Sequence, residues 1–437
     1  MSGTHAHTVA FVRDEMLPEQ APPVAQSGAI KWVRENLLSS WLNIVLTAVS
    51  LAVIWWVLAH IVPWFAHSIW DADSLSECRE IRDATWGDDA TMSCFAVITD
   101  RWNQLLFGFY PPELYWRPVL SMVLILVALA PILFQSVPRA LLKFSAVAPF
   151  VIYWLLWGGS AWGPVVVGLG LVLGYVIYRV VERFSGLVAI ILAILGPIAF
   201  WLSQAGPLTD WLHGTMPLGI EKVVSKDFGG FMLAVVIGLS GIVLSLPLGV
   251  LLALGRKSDL VFIRYVSTAF IEVIRGVPLI VWLFTASLLL NYFLPPGTSF
   301  DLMLRVIIMV TLFSSAYIAE VVRGGLAALP KGQYEAADAL GLDYAKSMRM
   351  IVLPQALKIS IPGIVNTFIG LFKDTTLVVF IGLLDPIGFT NSIRASTDWN
   401  GVYWELFVFI GLMFFIFCFS MGRYSLFLEK KLQREHR

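Results

Sequence analysis

Long apolar runs separated by short polar joints fill most of the chain. Runs long enough to span a bilayer are Trp41–Phe65, Val119–Val137, Ser145–Gly159, Gly163–Val180, Leu187–Gln204, Gly229–Leu254, Val261–Phe293, Leu302–Val322, Ile359–Leu384 and Trp404–Phe427. A spanning helix needs about 20 mostly apolar residues. These ten runs therefore predict an all-α polytopic membrane protein, with the third run the shortest. Lys31 and Arg34 precede the first run and set the N-terminus inside, because basic residues stay on the cytoplasmic side. The even-numbered joints then fall inside. They hold Arg139 and Lys143, Arg179 and Arg183, Arg256 and Lys257, and Lys331, Lys346 and Arg349. The outside joints are poorer in basic residues or balanced by acids, and both termini are expected in the cytoplasm.

Composition agrees with that pattern. Of 437 residues, 58% are hydrophobic and only 14% are charged, against about 25% charged in a soluble domain. Formal net charge is zero, so no bulk attraction to nucleic acid arises. Residues 1 to 30 are polar, with Pro18, Pro22 and Pro23, and carry no cleavable-signal pattern. That stretch is expected to be disordered, and the cytoplasmic N-terminal tail is drawn over 1–40. The largest outside loop, roughly 66–117, is acidic and contains Cys78 and Cys94. In an oxidising compartment these two can form a disulfide; otherwise they are free thiols. Cys418, in the last run, is read as a small apolar side chain. Gly168, Gly170 and Gly174 sit in a Val/Leu-rich run, where close helix packing explains them better than a nucleotide fingerprint. The six His have no metal spacing, there is no G-x-x-x-x-G-K-[ST], and no catalytic triad can be argued. Neither an enzyme nor a metal site is expected.

One long polar stretch interrupts the second half, Lys331 to Leu357. Glu335, Ala336, Ala337, Ala339 and Leu340 favour helix, and Gly341 suits a C-terminal cap with positive φ. Asp343 suits an N-cap for a second helix, expected to stop at Pro354. The result is a compact knob that a partner outside the membrane can grip. The spacing of Glu335-Ala336-Ala337, Gly341, Ile351, Leu353 and Pro354 resembles the EAA loop of bacterial ATP-binding-cassette importer permeases. That resemblance implies docking on a cytoplasmic ATPase through Glu335, Ala336, Ala337, Gly341 and Pro354.

Charged residues inside spans are costly and usually functional. Glu272 and Arg275 share a helix face in the seventh run and can neutralise each other, before Gly276 and Pro278 break the helix. The stretch resembles the E-x-x-R-G-x-P-L signature of the same family, and Glu272 and Arg275 are expected on the substrate path beside the break; the plain alternative is an interfacial ion pair beside a kink. Glu320 and Arg323, again three apart, are read as a structural ion pair fixing the knob. Lys373, Asp374, Thr375 and Thr376 lie deep in the ninth run, two turns after Asn366. They resemble the family's F-K-D-[TS]-[TS]-L run beside the translocation path. They are expected either to line a substrate path or to pair with Glu272 and Arg275. Asp385 to Arg394, with Asn391 and Ser392, reads as an outer gate, a surface for a binding protein, or simply a solvated loop.

From about residue 228 onward the chain resembles the type I permease subunits of polar-amino-acid importers over nearly its whole length. Residues 41–227, with about five spans, form an added segment like that of the long permeases of proteobacterial general L-amino-acid importers. The resemblance implies a bacterial inner-membrane subunit carrying L-amino acids. It implies partner ATPase subunits that bind ATP and Mg, a periplasmic binding protein and a related second permease, with no cofactor in this chain. An ion-gradient-driven secondary transporter is the alternative; it accounts for the spans but leaves the EAA spacing as coincidence.

Overall fold

Backbone polar groups in a lipid environment must be satisfied within the protein, which leaves helix as the solution for long apolar runs. The structure, a computed structural model, describes residues 28–134, 136–289, 292 and 301–434. The expectations for residues 1–27, for the end of the seventh run at Phe293, and for His5, His7, His436 and Arg437 lie outside them. The helices are α1 (Gly28–Asn36), α2 (Trp41–Ala66), α3 (Leu75–Thr85), α4 (Ala96–Asp100), α5 (Trp102–Phe107), α6 (Trp116–Leu133) and α7 (Leu142–Trp157). There follow α8 (Trp162–Val181), α9 (Gly186–Ser203), α10 (Ala205–Thr215), α11 (Gly230–Arg256), α12 (Val261–Gly276) and α13 (Leu279–Phe284). The last are α14 (Leu302–Ala328), α15 (Gly332–Ala339), α16 (Tyr344–Ser347), α17 (Leu353–Asp374), α18 (Pro386–Arg394) and α19 (Trp404–Arg434). Among the described residues, eight helical segments are long and apolar enough to cross a membrane, or up to ten if two bent pairs each form one span.

Two compact units divide the chain. The first holds residues up to Ile69 together with Ile81–Ser93. Ser40 caps α2 by accepting from the Asn43 N–H at 3.2 Å, and beyond α2 the His67 ring stacks on Trp86 at 4.7 Å. The Ser93 hydroxyl donates to the Trp64 carbonyl at 2.7 Å. The expected disordered tail is corrected over 28–30, where α1 begins; it runs to Asn36 with a Lys31–Glu35 pair at 3.9 Å.

The second unit comprises Trp70–Glu80 and Cys94–Arg437, so the motif boundary near residue 228 is not a packing boundary. Its centre is α11 against α14 and α17. Gly241, Ser245, Gly249 and Ala253 recur four apart on α11 and are all buried, a small-residue stripe that lets helices approach closely. A Cβ at Gly249 would come within 2.6 Å of Ile318 Cγ2, and one at Gly325 within 2.5 Å of the Ala356 carbonyl oxygen. Gly170 and Gly174 play the same part between α8 and α9, where Trp201 and Pro197 fill the space. Cys78 and Cys94 are disulfide-bonded, with Cα atoms 6.0 Å apart. The residues flanking this disulfide hydrogen-bond to the loop between α18 and α19. The Leu75 N–H donates to the Asp398 carbonyl at 2.9 Å, and the buried Trp399 indole donates to Asp100 Oδ2 at 2.7 Å.

The break expected at Gly276 and Pro278 in the seventh run is a bend of 102° between α12 and α13. The fifth run ends with α9, and α10, which lies beyond that run, follows at 56°. The ninth starts earlier than expected, at Leu353, and ends as a 3₁₀ turn over Thr375–Ile381.

Candidate functional site

Proline has no N–H, so Pro278 deprives the Ile274 carbonyl of its helical partner four residues on. Val277 turns extended at φ −123°, ψ 134°, and the helix restarts at Leu279. The Trp282 indole reaches back and donates to the Ile274 oxygen at 3.2 Å, replacing the missing bond. Leu279 and Leu283 of α13 are buried in the main core with Leu371 and Val378. The break is therefore held open by packing on one side and capped on the other.

Glu272 and Arg275 do not neutralise each other, as the sequence alone led us to expect. Glu272 Oε1 pairs with Arg256 at 2.8 Å, while Arg275 lies 3.7 Å from Glu320 Oε2. Arg256 also meets Glu320 Oε2 at 3.1 Å, and Arg323 binds Glu320 Oε1. Three guanidinium groups and two carboxylates thus tie α11, α12 and α14 together, with Glu320 at the hub. Each carboxylate therefore finds a guanidinium on a neighbouring helix: Glu272 of α12 on α11, and Glu320 of α14 on both α11 and α12. The guanidinium of Arg275 also lies 5.4 Å from the Tyr317 ring centroid. Arg256 is the residue that sequence reasoning missed: at the end of a span it counted only as an orientation signal.

Lys373 and Asp374 close α17, and Thr375 and Thr376 open the 3₁₀ turn, which packs against α13. The turn that Thr375 and Thr376 open thus meets the second half of the broken helix. No ion pair among the described residues joins Lys373 or Asp374 to Glu272 or Arg275. Both threonine hydroxyls donate to carbonyls three residues back, Thr375 to Phe372 at 2.7 Å and Thr376 to Lys373 at 2.9 Å. Thr375 is buried, Asp374 half-buried, and Asn366 and Lys373 are exposed. Seven residues apart, those two share one face of a membrane-length helix.

The knob forms as its residues dictate. Gly341 takes φ +67°, and the N–H groups of Gly341 and Leu342 donate to Asp338 at 2.9 Å and Ala337 at 3.2 Å, the paired bonds of a Schellman cap. Asp343 Oδ1 accepts from the Lys346 N–H at 2.8 Å. That bond, with the Lys346 ammonium, holds the Asp343 carboxyl below its usual range. Pro354 does not stop the second helix. Met348–Val352 widen into a π turn and Pro354 falls in the first turn of α17, where an absent N–H costs nothing. Glu335, Ala336, Gly341 and Pro354 are exposed, but Ala337 is fully buried and holds the knob together instead of facing outward. Leu340, Tyr344 and Met350 are the large apolar side chains on its surface. The Lys257 ammonium donates to the Tyr334 hydroxyl at 2.9 Å, and Gln355 donates to Gln333 at 2.9 Å. One end of α11 therefore carries both Arg256, in the ion cluster, and Lys257, on the knob.

At the other end, Asp385 is no solvated loop residue. It is fully buried and caps α18 through a 2.8 Å bond from the Gly388 N–H, while its second oxygen is buried without a partner. Burial pushes its carboxyl up to about 6. Asn391 and Ser392 are exposed, and the Arg394 guanidinium lies 4.1 Å from the Tyr403 ring centroid.

Known proteins share this arrangement of sequence. The family described as "binding-protein-dependent transport system inner membrane component" matches residues 245–434. The glutamate/glutamine/aspartate/asparagine transport system permease protein BztC of Rhodobacter capsulatus is 54% identical over 98% of this chain and 99% of its own. The inner membrane amino-acid ABC transporter permease protein YhdY of Escherichia coli is 36% identical over 93% of each. A shorter relative, the probable glutamine ABC transporter permease protein GlnM of Bacillus subtilis, is 32% identical over 47% of this chain and 91% of its own. An ion-gradient-driven carrier finds no support in these matches. End-to-end relatedness at this level places the chain, a multi-pass membrane protein that is not itself catalytic, among the permease subunits of the amino-acid ATP-binding-cassette importers.

Proposed function

We propose that this chain forms one half of an inner-membrane translocation path for L-amino acids and passes the motion of a partner ATPase into it. The single observation that carries the reading is the connection of the exposed knob to the broken helix. Lys257, which caps α11, bonds Tyr334 in the knob, and the adjacent Arg256 enters the ion cluster with Glu272 and Arg275 just before the break at Pro278. A push on α15 is thereby delivered to α12 by two neighbouring side chains. Two-state coupling needs such a rigid docked element.

In this reading Glu335, Ala336, Leu340, Gly341, Tyr344, Met350 and Pro354 meet the ATPase, which supplies ATP and Mg, and Ala337 supports them from within. Lys373, Asp374, Thr375, Thr376 and Asn366 line the path, with Glu272 and Arg275 acting at its inner end. Exposed Asn366 and Lys373 on one helix face are costly against lipid, and a related second permease covers that face. The N-terminal tail, residues 41–227 as an added segment and 228–437 as the permease core retain the division read from the sequence. The half-length relative supports it. Both termini lie in the cytoplasm and the disulfide-bonded segment in the periplasm, where a binding protein delivers the cargo. The full-length relative named for glutamate, glutamine, aspartate and asparagine directs the choice of cargo to acidic and amide amino acids.

Co-purification tests the docking half of this reading. With the neighbouring genes co-expressed, the ATPase is expected to co-purify with the wild type and be lost from Leu340→Glu or Tyr344→Ala. Retention of the ATPase by both variants, in membranes where they insert normally, refutes it.

A further inference from the structure

A cleft of about 690 Å³ lies among α6, α7, α11 and α14. It follows one stripe of α7, from Ser145 through Ala148, Ile152 and Leu156 to Trp157. At the helical rise of about 1.5 Å per residue, Ser145 to Trp157 spans about 18 Å. One leaflet is close to that, being half of a hydrocarbon core about 30 Å thick. The opposite walls are largely apolar, with Val236, Leu239 and Leu304, and Ser240 contributes one hydroxyl. Two hydroxyls in the lining are already satisfied: Ser145 donates to the Ala128 carbonyl at 2.6 Å, and Ser225 accepts from the Trp157 indole at 2.8 Å. Ile132, Tyr153 and Val243 on the rim are at least half exposed, so the cleft opens sideways. At the end where α14 begins stand Lys222 and Asp301. Lys222 is exposed and makes no ion pair among the described residues. Asp301 is fixed by capping α14, accepting from the Met303 N–H at 3.0 Å.

A leaflet-long apolar trough with an ammonium and a carboxylate at its mouth fits neither water nor a free amino acid. Water needs polar partners along the walls, and an amino acid would bury its charges against hydrocarbon. We propose that the cleft binds a glycerophospholipid with an amine-bearing headgroup. One acyl chain lies along α7, the phosphate meets Lys222 and the headgroup ammonium meets Asp301. Seated there, the lipid fills the space between the added helices α6 and α7 and the core helices α11 and α14.

Native mass spectrometry of the full chain in its assembly, after passage through vesicles of phosphatidylethanolamine or of phosphatidylglycerol, reads this directly. The wild type is expected to retain one phosphatidylethanolamine through detergent washing, with phosphatidylglycerol held about tenfold less tightly, the worth of one charge pair near 1.4 kcal/mol. Ala148→Trp fills the trough and abolishes retention, and Lys222→Glu reduces it for both lipids. Ser240→Trp on the α11 wall serves in its place if Ala148→Trp fails to insert. Lipid retained equally by wild type and filled variants overturns the site, and equal retention of the two lipids overturns the headgroup assignment. A co-purifying peptide in the cleft overturns both.

Discussion

Gly341 holds φ +67° with open space where its Cβ would lie, so a side chain there meets backbone strain and no clash. Gly341→Ala is expected to destabilise the knob by about 1 kcal/mol and to weaken ATPase stimulation without loss of insertion. Gly341→Asp and Glu335→Lys are expected to abolish coupling; normal transport by either one contradicts the docking assignment. Glu320 is the hub for three arginines, so Glu320→Gln leaves all three without their shared anion. The expected cost is about 1–3 kcal/mol, between the limits for exposed and buried pairs, and larger than for Glu272→Gln. Thermal unfolding in detergent checks the order. Asp385 gives a pH test. Its folded carboxyl titrates at about 6, above the ordinary 3.8. The native state therefore binds the extra proton between those values, and stability falls as pH rises through that window. Asparagine also caps helices well. Asp385→Asn is expected to raise the melting temperature at pH 8 and to lose most of that gain at pH 4. An equal difference at both pH values contradicts the buried, partner-poor oxygen. The Gly341 cap and the Asp343 cap were legible in the sequence because both obey local backbone rules. The partners of Glu272 and Arg275 were not, because they come from helices that no spacing within one run reveals.

Elements were legible wherever apolar length decided them. The ends of α2, α8 and α11 fall within a few residues of the runs that announced them. What the runs hid is direction. Val261–Phe293 looked like one span, and only Gly276 and Pro278 hinted at the turn of 102° that divides it. Pro354 shows the converse: a proline read as a stop is absorbed by a π turn and a helix start. The break at Pro278 can be tested through its substitute bond. Trp282→Phe removes the donor to the Ile274 oxygen and is expected to cost about 1–3 kcal/mol, the penalty of an unpaired buried carbonyl. In a Pro278→Ala background, an N–H again reaches Ile274, and the same Trp282→Phe change is expected to cost clearly less. A double-mutant cycle reads the difference; additive costs contradict the replacement of one bond by the other. Pro278→Ala alone is expected to straighten the segment and lower transport while leaving the chain inserted.

At the scale of the molecule, the family was legible from a few dozen residues after 228, since the E-A-A spacing and the helix-breaking and K-D-T-T stretches carry it. The first half carried no such motif, and its part in the fold emerges only from packing. The α6 and α7 helices join the compact unit of the core, with Ile125 beside Val235 and Phe372. Interfaces with other chains leave their mark as exposed polar faces inside the membrane, which a lone sequence shows only as costly residues. Reconstituting this chain with its partner permease and ATPase in proteoliposomes, and following uptake of labelled glutamate and glutamine, brings these scales together. Uptake that requires both ATP and the binding protein, and that disappears with Gly341→Asp while the assembly stays inserted, is the expected result. Uptake driven by an ion gradient without ATP, or unaffected by that substitution, contradicts a permease worked through its knob.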